Sequence, residues 1–309
     1  MADALSFGWI TQPAFFDTPA GVDPRDPSLA RALIEANERA VGQARDAGFD
    51  TIWVEDHMGW GDKAHLECFS NLCWLAGRNP GLRYGTLVCG QAFRNPAYLA
   101  KMAVNVQLLT DGRFILGLGA GNNGAEHEAF GYRFPAAGER IAQLDEAARI
   151  VRAVWAESPA SFRGQHYRVE GAFSSPLPDV PIPLMIGGGG ERRTLRVVAE
   201  LGDWWCADVW PVDVFRHKLG VLDRHCEAAG RDPATITRVQ IVWVSVTDRS
   251  EDAVRWPDLH IVAGDADEVT RELEAFRDAG VDHLAIRFMD HPEPAGFARF
   301  VEHVLPRLS

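Results

Sequence analysis

Apolar positions in this chain switch repeatedly between two periods. Short runs rich in β-branched and aromatic residues predict strands: SFGWIT (6–11), DTIWVED (50–56), LRYGTLVC (82–89) and RFILGLG (113–119). Between them the apolar residues step by three and four. Leu29, Leu33, Ala36, Ala40, Ala44 and Ala47 share one stripe across 28–47, with Ser28 as the expected N-cap and Gly48 as the stop. A helix is predicted over 66–77, and another opens at Pro96 and carries Leu99, Met102, Ala103, Val106 and Leu109. Ile141, Leu144, Ala148, Val151 and Trp155 mark a third over 138–156. Strands resume at PLMIGG (183–188), DWWCADV (203–209), TRVQIVWVSV (237–246) and VDHLAIRF (281–288), with a helix over 191–201. About eight strand–helix units in one domain, residues 1–309, predict an α/β fold of the TIM (β/α)8 type. A doubly wound sheet would satisfy the same alternation. SFRGQHYRVEGAF (161–173) breaks the rhythm as a hairpin-like insertion around Gly164.

Composition narrows the function classes. The chain is 47% hydrophobic and 24% charged, as a globular protein is, and no apolar run approaches the roughly 20 residues of a membrane span. The N-terminal MADALSFGW lacks signal-peptide character, so a cytoplasmic protein is expected. A net charge of −12 argues against nucleic acid or an anionic membrane as partner. The five cysteines are odd in number and lack C-x-x-C spacing, so reduced, buried thiols are expected.

Gly119, Gly121 and Gly124 have the G-x-G-x-x-G spacing of a dinucleotide turn, but they follow three strand–helix units. The acidic residue about 20 positions on, Glu139, starts a helix, and a polar loop (NNGAEHEAFGYRFPAAG) intervenes. These glycines are therefore expected to clear a barrel strand end for a flat ligand. The GGGG run (187–190) lies between a strand and an amphipathic helix, where consecutive N–H groups favour an anion, with Arg192 able to add charge. His57, His65 and Glu67 would be the start of a metal site, but strand one offers no histidine pair to complete it, and no metal is expected. Trp9 and Trp60, at or beyond strand ends, are expected as walls of an aromatic-lined substrate pocket.

FRNPAYLAKMAVNVQLLTDGRFILGLGAG, EHEAFGYRF, FRGQHY and IPLMIGGGGERRTLRVVAELGDWW together resemble the bacterial luciferase-like monooxygenase superfamily. The likeness is greatest to its branch of coenzyme F420-dependent oxidoreductases. It implies a TIM-like barrel with insertion segments and hydride transfer between a bound deazaflavin (coenzyme F420) and a small organic substrate. The alternative it leaves is an FMN-dependent monooxygenase, using reduced flavin and O2 with a separate reductase. It also implies a homodimer. By the same resemblance, Asp56, His57 and Glu126 form the catalytic group. A non-proline cis bulge falls at Thr86–Leu87, and Gly119, Gly121 and Asn122 border the ring. Gly187, Gly188, Gly189, Gly190 and Arg192 take the phosphate. Cys206 departs from the family, which has asparagine after DWW.

Overall fold

A computed structural model describes residues 5–12, 22–59, 61, 63–291 and 295–308. The core of the structure is a closed parallel barrel of eight strands. These are β1 (Ser6–Ile10), β2 (Thr51–Val54), β3 (Arg83–Thr86), β5 (Phe114–Gly119), β8 (Leu184–Gly187), β9 (Trp204–Ala207), β10 (Thr237–Val246) and β12 (His283–Phe288). Pairing runs in that order, and β12 pairs with β1 to close the ring. Every strand expected from the sequence lies in this barrel. The short β4 (Cys89–Gly90) continues the β3 run after a break, and β11 (Ile261–Gly264), not expected from the sequence, pairs with the end of β10.

Helices α1 (Pro27–Asp46), α2 (Cys68–Arg78), α3 (Pro96–Leu109), α5 (Ala137–Ala156), α6 (Thr194–Leu201), α7 (Val212–Ala229) and α8 (Ala266–Asp278) alternate with the strands. The helical segment 295–308 follows β12. The cap of α1 is Asp26, whose side chain accepts from the Ser28 N–H at 2.8 Å, rather than Ser28. Proline at the first helical position explains the shift, because it fixes the helix start two residues earlier. The insertion is an antiparallel hairpin of β6 (Ala160–Arg163) and β7 (Arg168–Ala172). Its turn is tied to α5 through the Glu146 carboxylate, which accepts from the backbone N–H groups of Gln165, His166 and Tyr167 at 2.7–2.9 Å.

Period two sorts every strand into an inner and an outer face. On β5, Phe114, Leu116 and Leu118 pack outward on the helices, while Ile115 turns in. The Trp53 indole fills the interior. Gly8 and Gly85, on the two strands beside β2, leave room for it: a Cβ on either would lie within 2.3 Å of the ring. Trp9 falls on the opposite face of β1 from Gly8 and Ile10. It is 2% exposed and stacks 5.0 Å from Phe288, in the outer core, so it is not a wall of the cleft.

Candidate active site

A cleft of about 380 Å³ opens at the C-terminal ends of the barrel strands. At its floor the chain breaks between β3 and β4 with a non-proline cis peptide at Leu87–Val88, one residue later than expected. Thr86, expected at the ligand, is instead buried as a staple between strands: its Oγ1 donates to the Gly117 carbonyl and accepts the Gly117 N–H, both at 2.9 Å. Leu87 and Val88 line the cleft.

Val88 stands between two glycines at strand ends. A Cβ on Gly119 would lie 2.7 Å from Val88 Cγ2, and one on Gly187 would lie 2.9 Å away. Both glycines follow inward-facing residues two positions earlier on their strands. The sequence thus leaves a flat seat over an apolar bulge. Gly121, with φ +76°, turns the chain away beyond the seat, and Asn122 borders it.

One end of the seat suits an anion. Gly187, Gly188, Gly190 and Thr194 line it. No side chain caps the N-terminus of α6 there, so its first N–H groups have no side-chain partner. Arg140 also lines the cleft; it donates to the Pro135 carbonyl at 2.6 Å and stacks 3.8 Å over the Phe134 ring, with its Nε buried and unpartnered. Gly189 instead faces the Trp210 ring, and Arg192 is exposed and outside the cleft lining. A planar group carrying a phosphate therefore fits the residues present.

The opposite end holds the catalytic candidates. His57 follows β2, and its Nδ1 lies 3.0 Å from Glu126 Oε2. The same carboxylate accepts the Met58 N–H and, at 3.3 Å, the Gly59 N–H. A carboxylate only accepts, so Nδ1 carries the ring proton and Nε2 is the basic nitrogen. Glu126 comes from α4 (Gly124–Ala129), a one-and-a-half-turn helix where the sequence predicts a polar loop. The Asn123 side chain caps it by accepting from the Glu126 N–H at 3.2 Å. Few apolar residues mark this segment, which is why periodicity missed it.

Asp56 lines the cleft but is committed elsewhere. It accepts from Arg94 at 2.7 and 2.9 Å and from the Gly90 N–H at 3.0 Å, which pins β4 below the seat. That makes it a positioning residue rather than a proton donor. Arg94 lies 38 positions away in sequence, and no local signal links the two. His65 packs edge-on to His57 with ring centroids 6.2 Å apart; burial, then the nearby His57 charge, lowers its pKa. Cys206 lines the cleft from β9, and burial raises its thiol pKa, so it is a wall and not a nucleophile. Trp60 lies outside the described residues. Among the described residues no cluster of histidine, cysteine and carboxylate groups could hold a metal, and no helix is long and apolar enough to cross a membrane.

Comparison with known proteins places this architecture. The chain is 27% identical to an F420-dependent glucose-6-phosphate dehydrogenase of Amycolatopsis mediterranei, over 86% of this chain and 92% of that protein. It is also 27% identical to the one of Gordonia bronchialis, over 100% and 98%. The fold superposes on an F420-dependent secondary alcohol dehydrogenase, in complex with an F420–acetone adduct, with a TM-score of 0.84 at 20% identity, covering 99% of each chain. A monooxygenase from Streptomyces bottropensis matches with a TM-score of 0.81 at 17% identity, over 99% of this chain and 100% of that one. The family model described as luciferase-like monooxygenase matches residues 14–261, most of the chain, and the protein belongs to that family.

Proposed function

We propose that this protein is an oxidoreductase that binds coenzyme F420 in the cleft and moves hydride between it and a small organic substrate. The observation that carries this reading is the His57–Glu126 pair at one end of a glycine-flanked seat with an anion site at the other. The deazaflavin supplies the hydride chemistry when bound. The chain supplies position and proton transfer. Val88, Gly119 and Gly187 would hold the ring flat, and Gly188, Gly190, Thr194 and Arg140 would hold its phosphate. Glu126 fixes the tautomer and orientation of His57, whose Nε2 would exchange the substrate's hydroxyl proton. The names of the curated relatives support the cofactor.

In this reading residues 1–309 form one domain of a cytoplasmic enzyme. The exposed side chains of Trp74, Tyr98 and Leu109 on α2 and α3 support a homodimer. The alternative is an FMN-dependent monooxygenase served by a separate reductase, which the likeness to monooxygenase structures supports. Paired titrations with F420 and with FMN decide between them. Preference for F420, with substrate-dependent change in its absorbance and no oxygen uptake, is expected. Preference for FMN with oxygen consumption would establish the alternative.

A further inference from the structure

The cleft is electrically asymmetric, and the asymmetry bears on what it can accept. The uncapped α6 N-terminus lies at the glycine end, and the one arginine among the described lining residues, Arg140, stacks 3.8 Å over Phe134 and donates to the Pro135 carbonyl at 2.6 Å. Beside His57 the charged lining residues are Glu55, Asp56 and Glu126, while Asp208 lines the cleft from the end of β9, next to the glycine-bearing β8. Two arginines near the His57 end are held by carboxylates. Arg94 is held by Asp56 and, at 2.8 Å, by Glu67. Arg287, on β12, donates to Glu55 and stacks 5.0 Å over Trp243.

The order of this last pair matters. Glu55 lines the cleft, whereas Arg287 is 5% exposed and does not. An anion arriving beside His57 would meet the Glu55 carboxylate first, with the guanidinium screened behind it. Displacing Glu55 would strand a buried charge, which costs several kcal/mol. The remaining floor is apolar, formed by Leu87, Val88 and Ile241.

Taking the proposed F420 chemistry as given, we propose that Glu55 and Arg287 determine specificity, excluding phosphorylated and carboxylated substrates in favour of an uncharged alcohol–carbonyl pair. In the oxidative direction the C–H bond of the carbinol carbon breaks and its electron pair leaves as hydride to oxidised F420. The hydroxyl proton passes to His57 Nε2 as the C=O bond forms. The reverse reaction returns both. This separates the chain from its glucose-6-phosphate dehydrogenase relatives, whose named substrate is a phosphate ester.

The test is a calorimetric titration of the F420-saturated protein with cyclohexanol and with glucose 6-phosphate; it needs no turnover. The wild type should bind cyclohexanol at least tenfold more tightly than glucose 6-phosphate. Glu55→Gln, which keeps an oxygen for Arg287 but removes the charge, should tighten glucose 6-phosphate binding at least tenfold. Adding Arg287→Met should erase that gain. A wild type that binds glucose 6-phosphate at least as tightly as cyclohexanol overturns the proposal without any variant. So does a folded Glu55→Gln protein with no gain. Failure of the cofactor reading is seen separately, as absence of F420 binding before either probe is added.

Discussion

His57 and His283 stand at opposite ends of one barrel and show what each end is for. At the N-terminal end His283 is fully buried, with both ring nitrogens engaged. Trp53 Nε1–H donates to Nε2 at 3.0 Å, and Nδ1 lies 2.7 Å from Ser6 Oγ. The Trp53 bond fixes Nε2 as acceptor, so the ring is neutral with its proton on Nδ1. Burial pushes its pKa down to about 4. At the C-terminal end the His57 side chain is 20% exposed, and one nitrogen is held by a carboxylate. One end locks a histidine as a structural dipole. The other holds the same side chain against a carboxylate at the lining of the cleft, where the proposed reading has it exchange a proton.

The sharpest way to break this comparison is to remove the upper histidine. His57→Asn should lower turnover by about 10²–10⁴-fold while leaving F420 affinity and thermal stability near wild type. An unchanged rate would remove His57 from the mechanism.

The lower histidine should show itself in acid. Because its pKa is lower folded than unfolded, the unfolded chain binds more protons between about pH 6.5 and 4. Stability should therefore be fully present above pH 6.5 and fall by about 3 kcal/mol as the pH drops to 4. Denaturant titrations across that range measure it, and His283→Gln should flatten the slope without altering turnover.

Trp53→Phe should cost about 2 kcal/mol by leaving a gap between Gly8 and Gly85 and unpairing His283 Nε2. It should also make the acid loss shallower, since without the donor the folded ring protonates more readily and its pKa moves back toward the unfolded value. The smallest effect is expected from Glu126→Gln, about tenfold in turnover, with the alkaline or acid limb of the pH–rate profile displaced. A rate loss with an unmoved profile would assign Glu126 only to holding the 58–59 backbone.

Alternation and length made the barrel legible in the sequence, because each strand carries its own inner and outer faces. The same rule, applied to Gly8 and Ile10, would have sent Trp9 outward. That Gly119, Gly187 and His57 line the cleft was legible because each stands at or just beyond a strand end, and strand boundaries were readable. What was not legible depends on long-range pairing. Asp56 meets Arg94 and Glu55 meets Arg287 only after closure brings their strands together, 38 and 232 positions apart. The short α4 is held by one cap and by its contacts rather than by an apolar stripe.

The β6–β7 hairpin has a consequence for how such an enzyme can change. Its turn hangs on one carboxylate of α5, and the Tyr167 hydroxyl reaches in to donate to Gln91 at 2.6 Å, the residue after Gly90 in the cleft floor. Ala160 in the core and Phe162, Tyr167 and Val169 packed against it also seat the hairpin on the barrel, so its exposed positions are the ones open to change. Whatever replaces Tyr167 would still be felt under the seat. Libraries that diversify the hairpin's exposed positions while keeping Glu146, Ala160, Phe162 and Val169 should alter the catalyst's repertoire at little cost to its folding.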